Sequence, residues 1–156
     1  MKLIRFSLLP LLLLLAGCPA SPTTEISSID SAKPTSFDVV FKEFAGAAGI
    51  TRIYHVTPET ISIVAANDSG ESPHEVWRKP LPKDLRDEFA RYISQMPFAQ
   101  MRRVYDSGAL DGFQWTFTII DGTGARHEFV VANMSQPDLE GLAHRILGTV
   151  EREQTK

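Results

Sequence analysis

Cysteine occurs once in the 156 residues, at Cys18, so no disulfide can form within the chain and its fold rests on core packing alone. The leucine-rich run from Leu8 to Leu15 is too short to cross a bilayer, whose hydrocarbon core needs roughly 20 apolar residues. Basic residues are fewer than acidic ones, 16 against 19, and no basic run is longer than Arg102-Arg103. That balance argues against nucleic acid or an anionic membrane face as partner, and a solvated-charge role suffices for the arginine pair.

Chemistry-bearing motifs are also scarce. The four histidines are His55, His74, His127 and His144, and no two have ligand-pair spacing. His74-Glu75 is followed three residues later by Arg78, so the zinc-protease pattern lacks its second histidine. Ser69 and Ser107 lie in Asp-Ser-Gly triplets, which turns use through side-chain hydrogen bonds and a permissive glycine, and neither is flanked as a nucleophile elbow requires. Gly46 and Gly49 are not followed by the Lys-Ser/Thr of a phosphate loop and have no third glycine at dinucleotide-binding spacing. Asp84, Asp87 and Glu88 fall on the solvated side of a predicted helix near its positive N-terminus, where acids are favoured for that reason alone. The expectation is a domain that is not an enzyme and that carries neither metal nor cofactor.

What is present begins with an address. Lys2 and Arg5 give a positive start, the leucine run follows, and Leu15, Ala16, Gly17 and Cys18 close the segment. A positive start, a short apolar stretch and a small-residue cleavage site make a secretory signal. The last four residues resemble the lipobox of bacterial lipoproteins. The resemblance implies cleavage between Gly17 and Cys18, a diacylglycerol on the cysteine sulfur and a further acyl chain, such as palmitate, on the new amino group. Each buried methylene contributes about 0.8 kcal/mol, so several chains together hold a stable anchor where one would not. Pro19 stands where enterobacterial lipoproteins retained on the inner membrane typically carry aspartate. By resemblance to that sorting rule the outer membrane, facing the periplasm, is expected where the source has two membranes.

From Pro19 to Ser36 the chain is rich in proline, serine and threonine without apolar periodicity, which reads as a disordered tether with ends about 23 Å apart on average. Loss of residues 1–17 removes two bases, Lys2 and Arg5, and no acids, taking the formal net charge from −3 to −5. The remainder, Phe37 to about Arg152, is long enough for one domain with one core.

Within it, Phe37, Val39 and Phe41 alternate with Asp38 and Lys42 and predict a strand. Arg52 to Val56 and Thr60 to Ala66 are β-rich runs separated by Thr57, Pro58 and Glu59, predicting a hairpin or two successive strands. Asn67 to Pro82 reads as loop, with an edge strand near Val76 and Trp77. Leu85, Phe89, Tyr92, Ile93 and Met96 form the apolar stripe of a helix that Pro97 ends. After Asp111-Gly112, the residues Phe113, Trp115, Phe117 and Ile119 share one strand face. Asp121 to Gly124 turns the chain, and Arg126 to Ala132 returns with His127, Phe129 and Val131 on one face. Ser135 and Asp138 are placed for a capping box ahead of Leu139, Leu142, Ala143, Ile146, Leu147 and Val150, a second amphipathic helix. The order ββ(β)αββα predicts an α+β domain of two layers, an antiparallel sheet with two helices against one face.

The most distinctive stretch runs from Phe41 to Ile50, where a strand leads into Ala45, Gly46, Ala47, Ala48, Gly49 and Ile50. Two glycines and small residues permit tight backbone geometry and a low-relief surface that another protein's backbone can approach, or they form a plain turn between the first two strands. The stretch resembles the emfourin family of small bacterial proteins, which carry a Gly-Gly-x-x-Gly turn after an opening strand with phenylalanine. Gly46 and Gly49 match that turn and Ala45 replaces its first glycine. A helix, an aromatic strand after an aspartate, a returning strand containing His127 and a closing leucine-rich helix extend the likeness over Phe37 to Val150. The founding member of the family inhibits thermolysin-like zinc metallopeptidases, so the resemblance implies a proteinaceous inhibitor with Ala45 to Ile50 as its contact loop. Two other classes stay open. One is an envelope-assembly lipoprotein docking through aromatics such as Trp77 or Tyr105. The other is a hydrolase, should His55, His74 or His127 cluster with carboxylates in a concave pocket.

Overall fold

The computed structural model describes residues 36–45, 50–67, 72–109 and 112–156. The leader, the lipobox with Gly17 and Cys18, the tether up to Thr35, Gly46 to Gly49 of the proposed contact loop, the triplet Asp68, Ser69 and Gly70, and Asp111 lie outside the described residues. Among the described residues no helix is long and apolar enough to cross a membrane.

Seven strands form one sheet: β1 (Asp38–Ala45), β2 (Ile50–Val56), β3 (Thr60–Asn67), β4 (His74–Pro80), β5 (Val104–Asp106), β6 (Gln114–Ile120) and β7 (Arg126–Ala132). Their spatial order is β4-β3-β2-β1-β6-β7-β5. Every neighbouring pair is antiparallel except β5 with β7. Two helices, α1 (Lys83–Gln95) and α2 (Pro137–Gln154), complete the single α+β domain.

Side chains alternate along each strand, so register decides which of them share a face. It aligns Ile63, Tyr54, Phe41, Phe117 and Phe129 in one row across the sheet, and Ile61, Val56, Val39 and Ile119 in the row beside it. All of these are buried, and they form one cluster with Leu85, Phe89 and Ile93 of α1 and Leu139, Leu142, Ile146 and Val150 of α2. Both helices therefore lie on that face. Each such side chain contributes roughly 2 kcal/mol through removal from water. Phe41 sits at the centre, stacked on Tyr54 at 5.3 Å and on Phe117 at 4.8 Å, with Trp115 edge-on at 5.6 Å. The opposite face, with Val40, Lys42, Ile53, Thr116 and Val130, carries no helix among the described residues.

The structure corrects several local expectations. β5 has no counterpart in the predicted order; its three residues are too few to show alternation, and it gains its place by pairing parallel to Val130, Val131 and Ala132. His74, expected in a loop, opens β4. Register along β4 passes from Ile63–Trp77 to Val64–Glu75, which leaves Val76 as a bulge. With Pro80 at its end, the bulge discourages pairing along that edge.

The cap of α2 is Gln136 rather than Ser135: its side-chain oxygen accepts from Leu139 N at 2.7 Å. Pro137 is the reason, because proline suits the first helical position and so fixes the preceding residue as the cap. Glu88 reaches Arg145 of α2 at 3.3 Å instead of facing only water.

Candidate partner-binding end of the sheet

Topology brings one end of the sheet to notice. β1 and β2 meet there, with Ala45 opposite Ile50 as the last described pair, while Gly46, Ala47, Ala48 and Gly49 of the proposed contact loop lie outside the described residues. β3 ends and β4 begins at the same end, residues 112 and 113 enter β6 there, and residues 133–136 leave β7 for α2. The opposite end holds the turns after β2 and β6.

This loop end carries Phe44, Phe113 and Met134, three of the exposed large hydrophobic side chains, at 37%, 40% and 41% exposure. Phe44 stands on the helix-free face opposite Thr51 and Gln114, and with them, Lys42 and Thr116 lines a groove of about 260 Å³. On the helix-bearing face a second groove, about 280 Å³, lies among Arg52, Tyr54, Ile63, Val76, Val150 and Gln154. The stem of the β1–β2 hairpin thus has a groove on each side.

Phe113 precedes β6 and is not part of the inward face predicted for it. Of Phe113, Trp115, Phe117 and Ile119, only the last two are fully buried, Trp115 is half-buried, and Phe113 packs on Trp115 at 5.0 Å. Asn133 holds this loop. Its backbone adopts φ 51°, its amide donates to the Phe113 carbonyl at 3.3 Å, and its side chain donates to the Ala109 carbonyl at 3.1 Å. Gly112, at φ 149°, passes so close that a Cβ there would lie 1.6 Å from Asn133 Oδ1. Only glycine fits both the dihedral and the approach.

Beside the hairpin stem, Glu43 faces Arg52 and Trp115 across the strands, and the Tyr54 hydroxyl donates to Glu43 Oε2 at 3.3 Å. Burial pushes the Tyr54 phenol above its usual range, and the Glu43 carboxylate adds to this against an opposing effect of Arg52.

The histidines fall apart in space. His55 meets Asp38 at 2.9 Å on the helix-free face, His144 is exposed on α2, and His74 is exposed on the β4 edge. His127 Nε2 meets Asp121 Oδ2 at 2.9 Å, and its ring stacks on Phe98 at 3.9 Å. Asp121 closes the β6–β7 turn. Burial opposes its ionisation, but hydrogen bonds from Thr123 Oγ1, His127 and the backbone amides of Thr123 and Ala125 outweigh that and hold its pKa at about 2. His127 lines a groove, yet that groove contains no hydroxyl or thiol nucleophile. Among the described residues no group of three or more His, Cys, Asp or Glu is placed to hold a metal ion.

Trp77 and Tyr105, the aromatics considered for docking, are only partly exposed and pack against the core. Phe44 and Phe113 escaped the sequence reading because alternation marks a face without telling how far the helices cover it. No protein-family model matches the chain, and no curated protein matches it.

Proposed function

We propose that this protein is a bacterial lipoprotein, held on a membrane of the cell envelope by acyl chains on Cys18, whose domain binds a protein partner through the loop end of its sheet. The partner class implied by the emfourin resemblance is a thermolysin-like metallopeptidase, which the protein would inhibit. The observation that carries the binding reading is that Phe44, Phe113 and Met134 are exposed at the end of the sheet where Ala45 pairs with Ile50. Exposed large apolar side chains on separate segments of one loop-bearing end, Phe44 on one face of the sheet and Phe113 against Trp115 on the other, suit a partner that covers that end, since desolvated apolar anchors carry protein interfaces. The groove beside Phe44 offers a partner side chain a place to enter.

The anchor reading rests on the charged start, leucine run and lipobox pattern, and Pro19 favours the outer membrane. A tether of Pro19 to Ser36 would let the loop end reach a partner clear of the headgroups.

The test is an inhibition titration of a thermolysin-like peptidase with the full chain in neutral detergent. Stoichiometric inhibition that Phe44→Asp and Gly46→Arg each weaken supports the reading. Undiminished peptidase activity at micromolar protein removes the inhibitor assignment and shifts weight to an envelope-assembly role for the same surface.

A further inference from the structure

The sheet has a notch at its β7 edge. β5 pairs only with Val130, Val131 and Ala132, while β7 begins at Arg126, so residues 126–129 lie on an open edge in line with β5. Val130 N donates to the Arg103 carbonyl at 2.8 Å and the Ala132 carbonyl accepts from Ser107 N at 3.2 Å, which shows that the even residues of β7 direct their backbone groups away from β6. By the alternation of the ladder, Arg126 and Glu128 direct an N–H and a C=O each into the notch. No backbone partner meets these groups among the described residues.

Space flanks this edge on both faces of the sheet. A groove of about 350 Å³ opens beside Phe98, Met101 and His127, and another of about 390 Å³ opens beside Lys42, Thr116 and Thr118. Arg103, Arg126, Glu128 and Phe129 line both. An added strand needs this arrangement, because its backbone pairs with the edge while its side chains alternate into the two grooves.

Charge selects the occupant. Arg103 and Lys42 make no ion pair among the described residues, whereas Glu128, the carboxylate lining the grooves, is engaged by Arg126 at 2.6 Å. The locality is cationic on a chain whose net charge is negative.

We propose that the notch beside Arg126 to Phe129 binds an extended acidic segment of a partner protein by strand addition, end to end with β5. A membrane surface could meet the arginines but offers no ladder of backbone groups to Arg126 and Glu128. The site lies at the turn-bearing half of β7, away from the loop end, and stands whether or not that end binds a partner.

The probe is an acetylated, amidated hexapeptide of alternating aspartate and valine, added to the full chain in neutral detergent at about 1 mM. Residue-resolved amide exchange should slow by about tenfold or more at Arg126 and Glu128, with little change at His127, whose amide faces β6. Arg103→Glu, checked for folding by unchanged exchange in α2, should weaken binding by about tenfold. Should that variant fail to fold, a probe N-methylated at alternate residues should lose binding to the wild-type chain. The proposal is overturned by unchanged exchange at Arg126 and Glu128, by equal binding of a lysine–valine hexapeptide or of the methylated probe, or by full retention of affinity in folded Arg103→Glu. It is also overturned if phosphatidylglycerol vesicles slow these two amides and the acidic peptide does not.

Discussion

Gly141 of α2 lies against the Tyr92 side chain of α1, and replacing it with alanine should cost stability although alanine is the better helix former. A Cβ at that position would lie 2.2 Å from the Tyr92 hydroxyl oxygen and 3.1 Å from Cζ. Tyr92 is poorly free to retreat. Its hydroxyl donates to the Asp138 carbonyl at 2.8 Å, and the Arg145 guanidinium lies 4.1 Å above its ring. Arg145 is held in turn by the Gly141 carbonyl at 3.2 Å and by Glu88 at 3.3 Å. Intrinsic propensity favours Gly141→Ala by about 1 kcal/mol. Against it stand a hydrogen bond worth about 1 kcal/mol, a cation–π contact of about 0.5–1 kcal/mol and overpacking of roughly 1–3 kcal/mol.

The net expectation is a loss of about 2 kcal/mol, read by urea denaturation of the full chain followed by circular dichroism. Tyr92→Phe removes the atom at 2.2 Å and should by itself cost about 1 kcal/mol. Added to Tyr92→Phe, Gly141→Ala should then cost little, so the cycle yields a coupling of about 2 kcal/mol. Gly141→Ala as stable as wild type, or a cycle with no coupling, would show that the helices do not meet as described.

Three further outcomes are expected. Asp121 has its pKa lowered from 3.8 to about 2 with its side chain 16% exposed, so its ionised form stabilises the fold above pH 4 and this contribution fades as pH falls through 2. The contribution should be about 2 kcal/mol at pH 6 and under about 0.5 kcal/mol at pH 2, so the stability gap between wild type and Asp121→Ala should narrow on acidification, and a pH-independent gap would contradict it. Gln136→Ala should cost about 1 kcal/mol through loss of the α2 cap, whereas Ser135→Ala should change the denaturation midpoint little. Cys18→Ala should abolish labelling by a fatty-acid probe in cells; persistent labelling would remove the anchor.

Much of the architecture could be read from apolar periodicity, because the stripes of both helices and the alternation around Phe41 and Phe117 are long enough to fix element type and inward face. Spatial order was not legible in this way: nothing local tells β1 to lie between β2 and β6. The same limit hid the exposed apolar side chains of the loop end, since Phe44 lies near the end of β1, Phe113 before β6 and Met134 after β7, and only the topology brings these segments to one end. Gln136 was overlooked because glutamine is an uncommon cap and its role follows from Pro137 behind it. Nothing local in the sequence marks Gly141, whose reason is the Tyr92 hydroxyl on another helix. Arg103, expected to be merely solvated, lines the notch left by a strand too short to predict.

The claim that the loop end meets a protein partner is tested most directly by photo-crosslinking in cells of the native source, with a benzophenone side chain replacing Phe44, Phe113 or, as a control on exposed α2, His144. One common adduct is expected from positions 44 and 113 and none from position 144. Adducts from position 144 alone, or none from 44 and 113 while the protein remains folded, would contradict that claim.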